Sequence, residues 1–71
     1  MKTVRTIKYN DKYTIKIKTH SRRELEKGAS MGYKFFISGD TTYVSDYFYF
    51  ISQAIDAAYG KIYRMTRELT A

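Results

Sequence analysis

The sequence contains no cysteine, proline or tryptophan, and its one histidine is His20. Without cysteine there is neither a disulfide framework nor a thiolate metal cluster, and the redox compartment goes unmarked. No apolar run approaches the roughly 20 residues that cross a bilayer as a helix. The residues after Met1 carry neither the apolar stretch of a signal peptide nor a lipidation motif. These absences lead to the expectation of a cytoplasmic protein with no membrane partner. At 71 residues the chain is expected to form one domain, 1–71, because a second unit would have too little apolar surface to fold on.

Catalytic and cofactor motifs are equally scarce. There is no cysteine nucleophile, no phosphate loop and no dinucleotide fingerprint. Glu24 and Glu26 point to different sides of a turn, and Asp46 and Asp56 lie too far apart in sequence to form a recognisable carboxylate pair. His20 reads as a solvated residue at a strand end. The chain is therefore expected to be non-catalytic, with no cofactor and no metal.

What is present is positive charge and aromatic surface. Thirteen Lys and Arg stand against seven Asp and Glu, for a net charge of +6, and 17% of residues are aromatic. The charge is uneven: the first 23 residues hold eight bases and only Asp11 as an acid. A small domain uses large rings to fill a core with few residues, and Tyr also serves at wet interfaces.

Tyr13-Thr-Ile-Lys-Ile-Lys-Thr19 alternates strictly, which predicts a strand with Tyr13, Ile15 and Ile17 on one face and Thr14, Lys16 and Lys18 on the other. Thr3 to Tyr9 reads as its partner. A three-residue loop, Asn10-Asp11-Lys12, sets Ile7 opposite Ile15 and Lys8 beside Thr14, whereas a two-residue loop would mix the faces. Lys12 is then expected in the left-handed region. Ser21 with Glu24 matches a capping box, and Gly28 stands where a short helix would end; Leu25 is the residue to dock it.

Tyr33 to Ser38 and Thr41 to Val44 form a second hairpin across Gly39-Asp40, a two-residue turn that places Phe35 opposite Val44 and Phe36 opposite Tyr43. Beyond it, Phe48, Ile51, Ile55, Ala58, Ile62, Met65 and Leu69 recur in alternating steps of three and four. With no proline and one interior glycine, Gly60, residues 46–69 read as one helix capped by Ser45 or Asp46. The expected fold is α+β: two β-hairpins forming an antiparallel sheet, a short helical turn between them and a long C-terminal helix on one face, ββ(α)ββα.

This parity turns Lys8, Lys16 and Lys18 away from the helix, with Lys2 joining them and Arg22 and Arg23 following. Taking Phe35 and Val44 inward puts Lys34, Phe36 and Tyr43 on the same outer face. Cations interleaved with flat rings suit nucleic acid: phosphates meet Lys or Arg, and bases stack on rings. The aromatic-and-glycine signature of the RNA recognition motif is absent. The sequence reading is a small basic DNA- or RNA-binding protein using Lys8, Lys16, Lys18, Arg22 and Arg23 for phosphates, and Lys34, Phe36 and Tyr43 for stacking. Its alternative is a small inhibitor or adaptor, of viral or mobile-element type, docking on an acidic protein surface. Alternating lysines that merely keep an exposed strand soluble are the bland account.

The helix carries a second stripe, Tyr47, Phe50, Ala54 and Ala57, with Tyr59 and Tyr63 a turn apart. It reads either as further core or as a homodimer surface in which small alanines allow close approach. Lys61, Arg64 and Arg67, with Glu68 beside them, complement the negative end of the helix dipole.

Overall fold

A computed structural model describes residues 1–70, with side chains through Arg67; Glu68 beside the cationic patch and Leu69 of the stripe therefore lie, as side chains, outside the described residues. The element order is β1 (Lys2–Lys8), β2 (Tyr13–Thr19), α1 (Arg22–Glu26), β3 (Tyr33–Gly39), β4 (Tyr43–Val44) and α2 (Ile51–Thr70). The strands form one antiparallel sheet in the order β1-β2-β3-β4, and α2 packs on β2 and β3. This is the α+β fold expected from the sequence. No helix among the described residues is long and apolar enough to cross a membrane.

The first hairpin has the expected register, with Ile7 opposite Ile15 and Lys8 opposite Thr14. Lys12 is a correction, because among the described residues only glycines have positive φ. The Asn10 side chain closes the turn instead: its Oδ1 accepts the backbone N–H groups of Lys12 and Tyr13, each at 2.8 Å. A side chain that mimics a turn carbonyl removes the need for a left-handed residue. Further along β1 the register shifts between Thr3 and Arg5, so that Lys2 lies opposite Thr19 and Arg5 opposite Ile17. An extra residue in one strand reverses its parity. Lys2 therefore belongs to the helix side of the sheet and not, as expected, with the outer lysines.

The capping box forms at α1, where Ser21 Oγ accepts from the Glu24 amide and Glu24 accepts from the Ser21 amide. At the other end, Gly28 N–H donates to Leu25 C=O and Ala29 N–H to Glu24 C=O. That is the paired pattern of a Schellman ending, with Gly28 at φ +97°.

The second hairpin is one residue out of the expected register: Ile37 pairs with Tyr43 and Phe36 with Val44. Gly39 explains the shift. It lies within β3 opposite Tyr13, at φ +150°, and a Cβ there would collide with the Lys12 carbonyl. The glycine is used where β3 passes the first turn, and the reversal moves on to Asp40–Thr42. Tyr43 consequently faces the helix, its ring centroid 5.7 Å from that of Phe35, and Val44 takes the outer face.

Helix α2 starts at Ile51, five residues later than expected, because β4 is too short to satisfy the free edge of β3. Ser45 N–H donates to Phe35 C=O at 3.1 Å, and Ser45 Oγ accepts from Phe35 N–H at 2.9 Å. Phe48 and Tyr33 exchange two backbone bonds of 2.7 and 2.8 Å. Backbone groups at a half-buried edge need partners, and residues 45–50 supply them as an extended strap. Ser45 thus completes the sheet and caps no helix. At the actual start, Gln53 Oε1 accepts the Phe50 N–H at 3.0 Å, and Phe50 C=O accepts from Ala54.

The core joins Tyr13, Ile15, Ile17, Phe35 and Ile37 of the sheet to Ala54, Ala58, Ile62 and Met65 of α2. Ile15, Ile17, Ile37 and Ile62 are fully buried, each contributing about 1.5–3 kcal/mol through burial. Ala54 is 0% exposed and Tyr47 sits in the strap, so the second stripe does not exist as one helical surface. Of the two alanines expected to allow close approach in a dimer, Ala54 is part of the core and Ala57 is half-buried against it.

Candidate nucleic-acid interface

Strand pairing sets the composition of the sheet face opposite α2. Thr14, Lys16 and Lys18 of β2 share it with Thr6 and Lys8 of β1, which pair with Lys16 and Thr14. From β3 come Lys34, Phe36 and Ser38, opposite Lys18, Lys16 and Thr14. Val44 of β4 lies beside Phe36. None of the four strands contains an acidic residue, so nothing within the face neutralises its lysines. Asp11 approaches Lys8 only from the turn, at 4.0 Å with both groups exposed, where an ion pair is weak.

Lys18 and Lys34 are direct cross-strand partners, an arrangement that repels. Their ammonium groups separate onto different rings. Lys18 Nζ lies 4.7 Å from the centroid of Phe36, and Lys34 Nζ lies 4.7 Å from that of Tyr47. Each gains a cation–π contact of about 0.5–1 kcal/mol.

The residues expected at the site divide accordingly. Lys8, Lys16, Lys18, Lys34 and Phe36 come together on the outer face. Arg22 and Arg23 are exposed on α1, beyond the end of β2, with Arg22 3.9 Å from Glu26. Tyr43 is corrected to the opposite face by the one-residue register shift, where Lys61 Nζ lies 4.4 Å from its ring centroid.

Sequence reasoning missed a polar chain at the end of the sheet. Glu24 Oε2 accepts from the Met1 ammonium at 2.9 Å and from His20 Nδ1 at 3.0 Å. His20 Nε2 is 2.7 Å from the Tyr47 hydroxyl. With the Nδ1 proton aimed at the carboxylate, a neutral ring accepts from Tyr47 through Nε2. His20 is therefore a half-buried link between α1 and the strap, not a solvated strand end. The backbone N–H of Ser21, followed by the Met1 ammonium and His20, holds the Glu24 carboxyl well below the usual carboxylate range. The four-residue spacing of His20 and Glu24 was a readable signal; Tyr47, 27 residues from His20, offered none. Among the described residues, no three His, Cys, Asp or Glu side chains gather as a metal-holding group.

No known family model, curated protein or solved structure matches the chain.

Proposed function

We propose that the protein binds nucleic acid without catalysing a reaction on it, by laying the phosphate backbone across the sheet face opposite α2. The observation that carries this reading is the cross-strand pair Lys18–Lys34, with Lys16 and Lys8 on the same face and no acid on any strand. A phosphate between them relieves their repulsion and releases condensed counterions. Four lysine–phosphate contacts give a slope of log K against log salt of roughly −3 to −4. Arg22 and Arg23 on α1 extend the basic surface past the end of β2. Phe36 supports Lys18, and base stacking on this face is a minor part of the reading.

The alternative is docking on an acidic protein surface through the same lysines. It gains from the position of Tyr43, which leaves the outer face with Phe36 as its ring.

The test is fluorescence anisotropy with labelled single- and double-stranded oligonucleotides between about 50 and 200 mM salt. Lys16→Glu combined with Lys18→Glu is expected to abolish binding while circular dichroism stays unchanged, since Lys16 is exposed and neither side chain belongs to the core. Undiminished binding by that folded variant rejects the reading. If the native protein binds no strand at low salt, the acidic protein surface takes its place.

A further inference from the structure

Where the lysine face ends, the strap and the loop before β3 enclose an open groove of about 610 Å³. Its walls include Leu25, Met31, Tyr33, Tyr47, Phe48 and Tyr49. Two of these are strongly exposed for apolar side chains, Met31 at 79% and Tyr49 at 80%. Tyr49 is held edge-to-face on Phe50, with ring centroids 4.7 Å apart, and Phe50 is itself exposed. Isolated exposed rings need no explanation, but a clustered apolar patch beside a concave site marks a contact surface. The volume is in the range of small-ligand sites.

Lys34 joins this groove to the lysine face. Its backbone pairs with Lys18 on the sheet, while its ammonium lies over Tyr47, a groove wall. A phosphate on Lys34 therefore lies beside a groove wall, with its own nucleotide in reach of the groove. The walls suit a flat ring: Tyr33 and Tyr49 add rings beside Tyr47, one face of which carries Lys34, and Phe48, which is stacked on Phe35, while Met31 adds a polarizable edge. By contrast, Lys18 Nζ already lies over the Phe36 ring on the open sheet.

We infer that this groove receives an unpaired base of a single-stranded DNA or RNA whose phosphates lie on Lys18 and Lys34. The inference rests on the phosphate-binding reading above and narrows it to single strands. A base in a duplex reaches such a groove only after leaving its stack, at a cost of a few kcal/mol, whereas a single strand presents its bases already splayed.

The experiment compares short labelled strands of equal length: intact DNA, intact RNA, abasic DNA and duplex DNA. The native protein is measured beside a Met31→Ala, Tyr49→Ala variant. Both side chains are largely exposed, so the variant keeps its fold, as circular dichroism will check. The native protein is expected to bind an intact strand about 5- to 150-fold more tightly than the abasic one, the range for one stacked base. The variant is expected to lose that preference with an unchanged salt slope. Preference for either sugar supports the inference and names the strand. Equal affinity for intact and abasic strands, with a steep salt slope, overturns the groove as a base site and leaves phosphate binding standing. No binding to any strand at about 50 mM salt overturns both. Sedimentation of both proteins completes the test: a dimer that the double substitution dissociates, with strand preference intact, assigns the groove to a second copy of the chain and overturns the inference.

Discussion

Lys18 and Phe36 meet diagonally across β2 and β3, the ammonium 4.7 Å from the ring centroid, while the direct partner of Phe36 is Lys16. The ring thus supports a cation in place of presenting a bare stacking surface. Phe36→Leu, which keeps apolar bulk on the strand, is expected to change single-strand affinity less than about threefold. Lys18→Gln is expected to weaken binding evenly across sequences and to flatten the salt slope by about 1, as one lost phosphate contact should. Anisotropy titrations at several salt concentrations separate the two variants. A tenfold or greater loss for Phe36→Leu would instead place a base on that ring.

Glu24 is held ionised by the Ser21 amide, the Met1 ammonium and His20. Its folded-state value lies below its ordinary value of 4.5, so folding favours the charged form. The resulting stabilisation is present above the ordinary value and is lost as pH falls from there toward the depressed folded value. Glu24→Gln is expected to be less stable than the native protein at pH 6, with the difference shrinking steadily below about pH 4. Urea unfolding at a series of pH values reads this directly. A gap between the two proteins that stays constant from pH 6 to pH 2.5 would count against the carboxylate as the source.

Tyr13 is buried at the start of β2, and among the described residues its hydroxyl is the buried side-chain polar atom without a hydrogen-bond partner. A hydroxyl withdrawn from water with nothing in exchange is destabilising. Tyr13→Phe keeps the ring and removes that atom, so stability is expected to hold or to rise by about 1 kcal/mol. Urea midpoints compared at a shared m-value give the answer. A loss beyond about 1 kcal/mol would mean that the hydroxyl has a partner in solution.

The legible parts of this fold are those determined by neighbours in sequence. Alternation in Tyr13–Thr19 carried both the strand and its faces, and matching Ile7 to Ile15 chose the loop length. Ser21, Glu24 and Gly28 announced α1 at both ends. The illegible parts depend on needs set elsewhere in the molecule. Phe48 falls in step with the helical stripe, yet the unpaired edge of β3 draws it into a bridge with Tyr33. The parity of Lys2 depends on one extra residue in β1, and that of Tyr43 on how closely β3 passes Lys12. The lysine face survives these shifts because Lys8, Lys16 and Lys18 lie within the one hairpin whose register local pattern determines. The groove was invisible because Tyr47 and Tyr49 fall within residues 46–69, which read as one helix, whereas α2 begins at Ile51.

Two glycines separate backbone necessity from mere tolerance. Gly39 has φ +150°, and an added Cβ would meet the Lys12 carbonyl, which belongs to backbone and has little room to yield. Gly39→Ala is expected to lose on the order of 2 kcal/mol or more, through conformational strain and displacement of the first turn from β3. Gly60 lies inside α2, exposed, with open space where a Cβ would stand. Alanine there lowers the entropy of the unfolded chain and suits the helix, a gain of about 0.5–1 kcal/mol. For a domain of this size 1 kcal/mol moves the melting temperature by about 4–8 °C, so the two variants should melt on opposite sides of the native protein. Scanning calorimetry resolves shifts of that size. Were Gly39→Ala to melt with the native protein, the close passage of β3 under Lys12, and with it the reason Tyr43 faces the helix, would have to be abandoned.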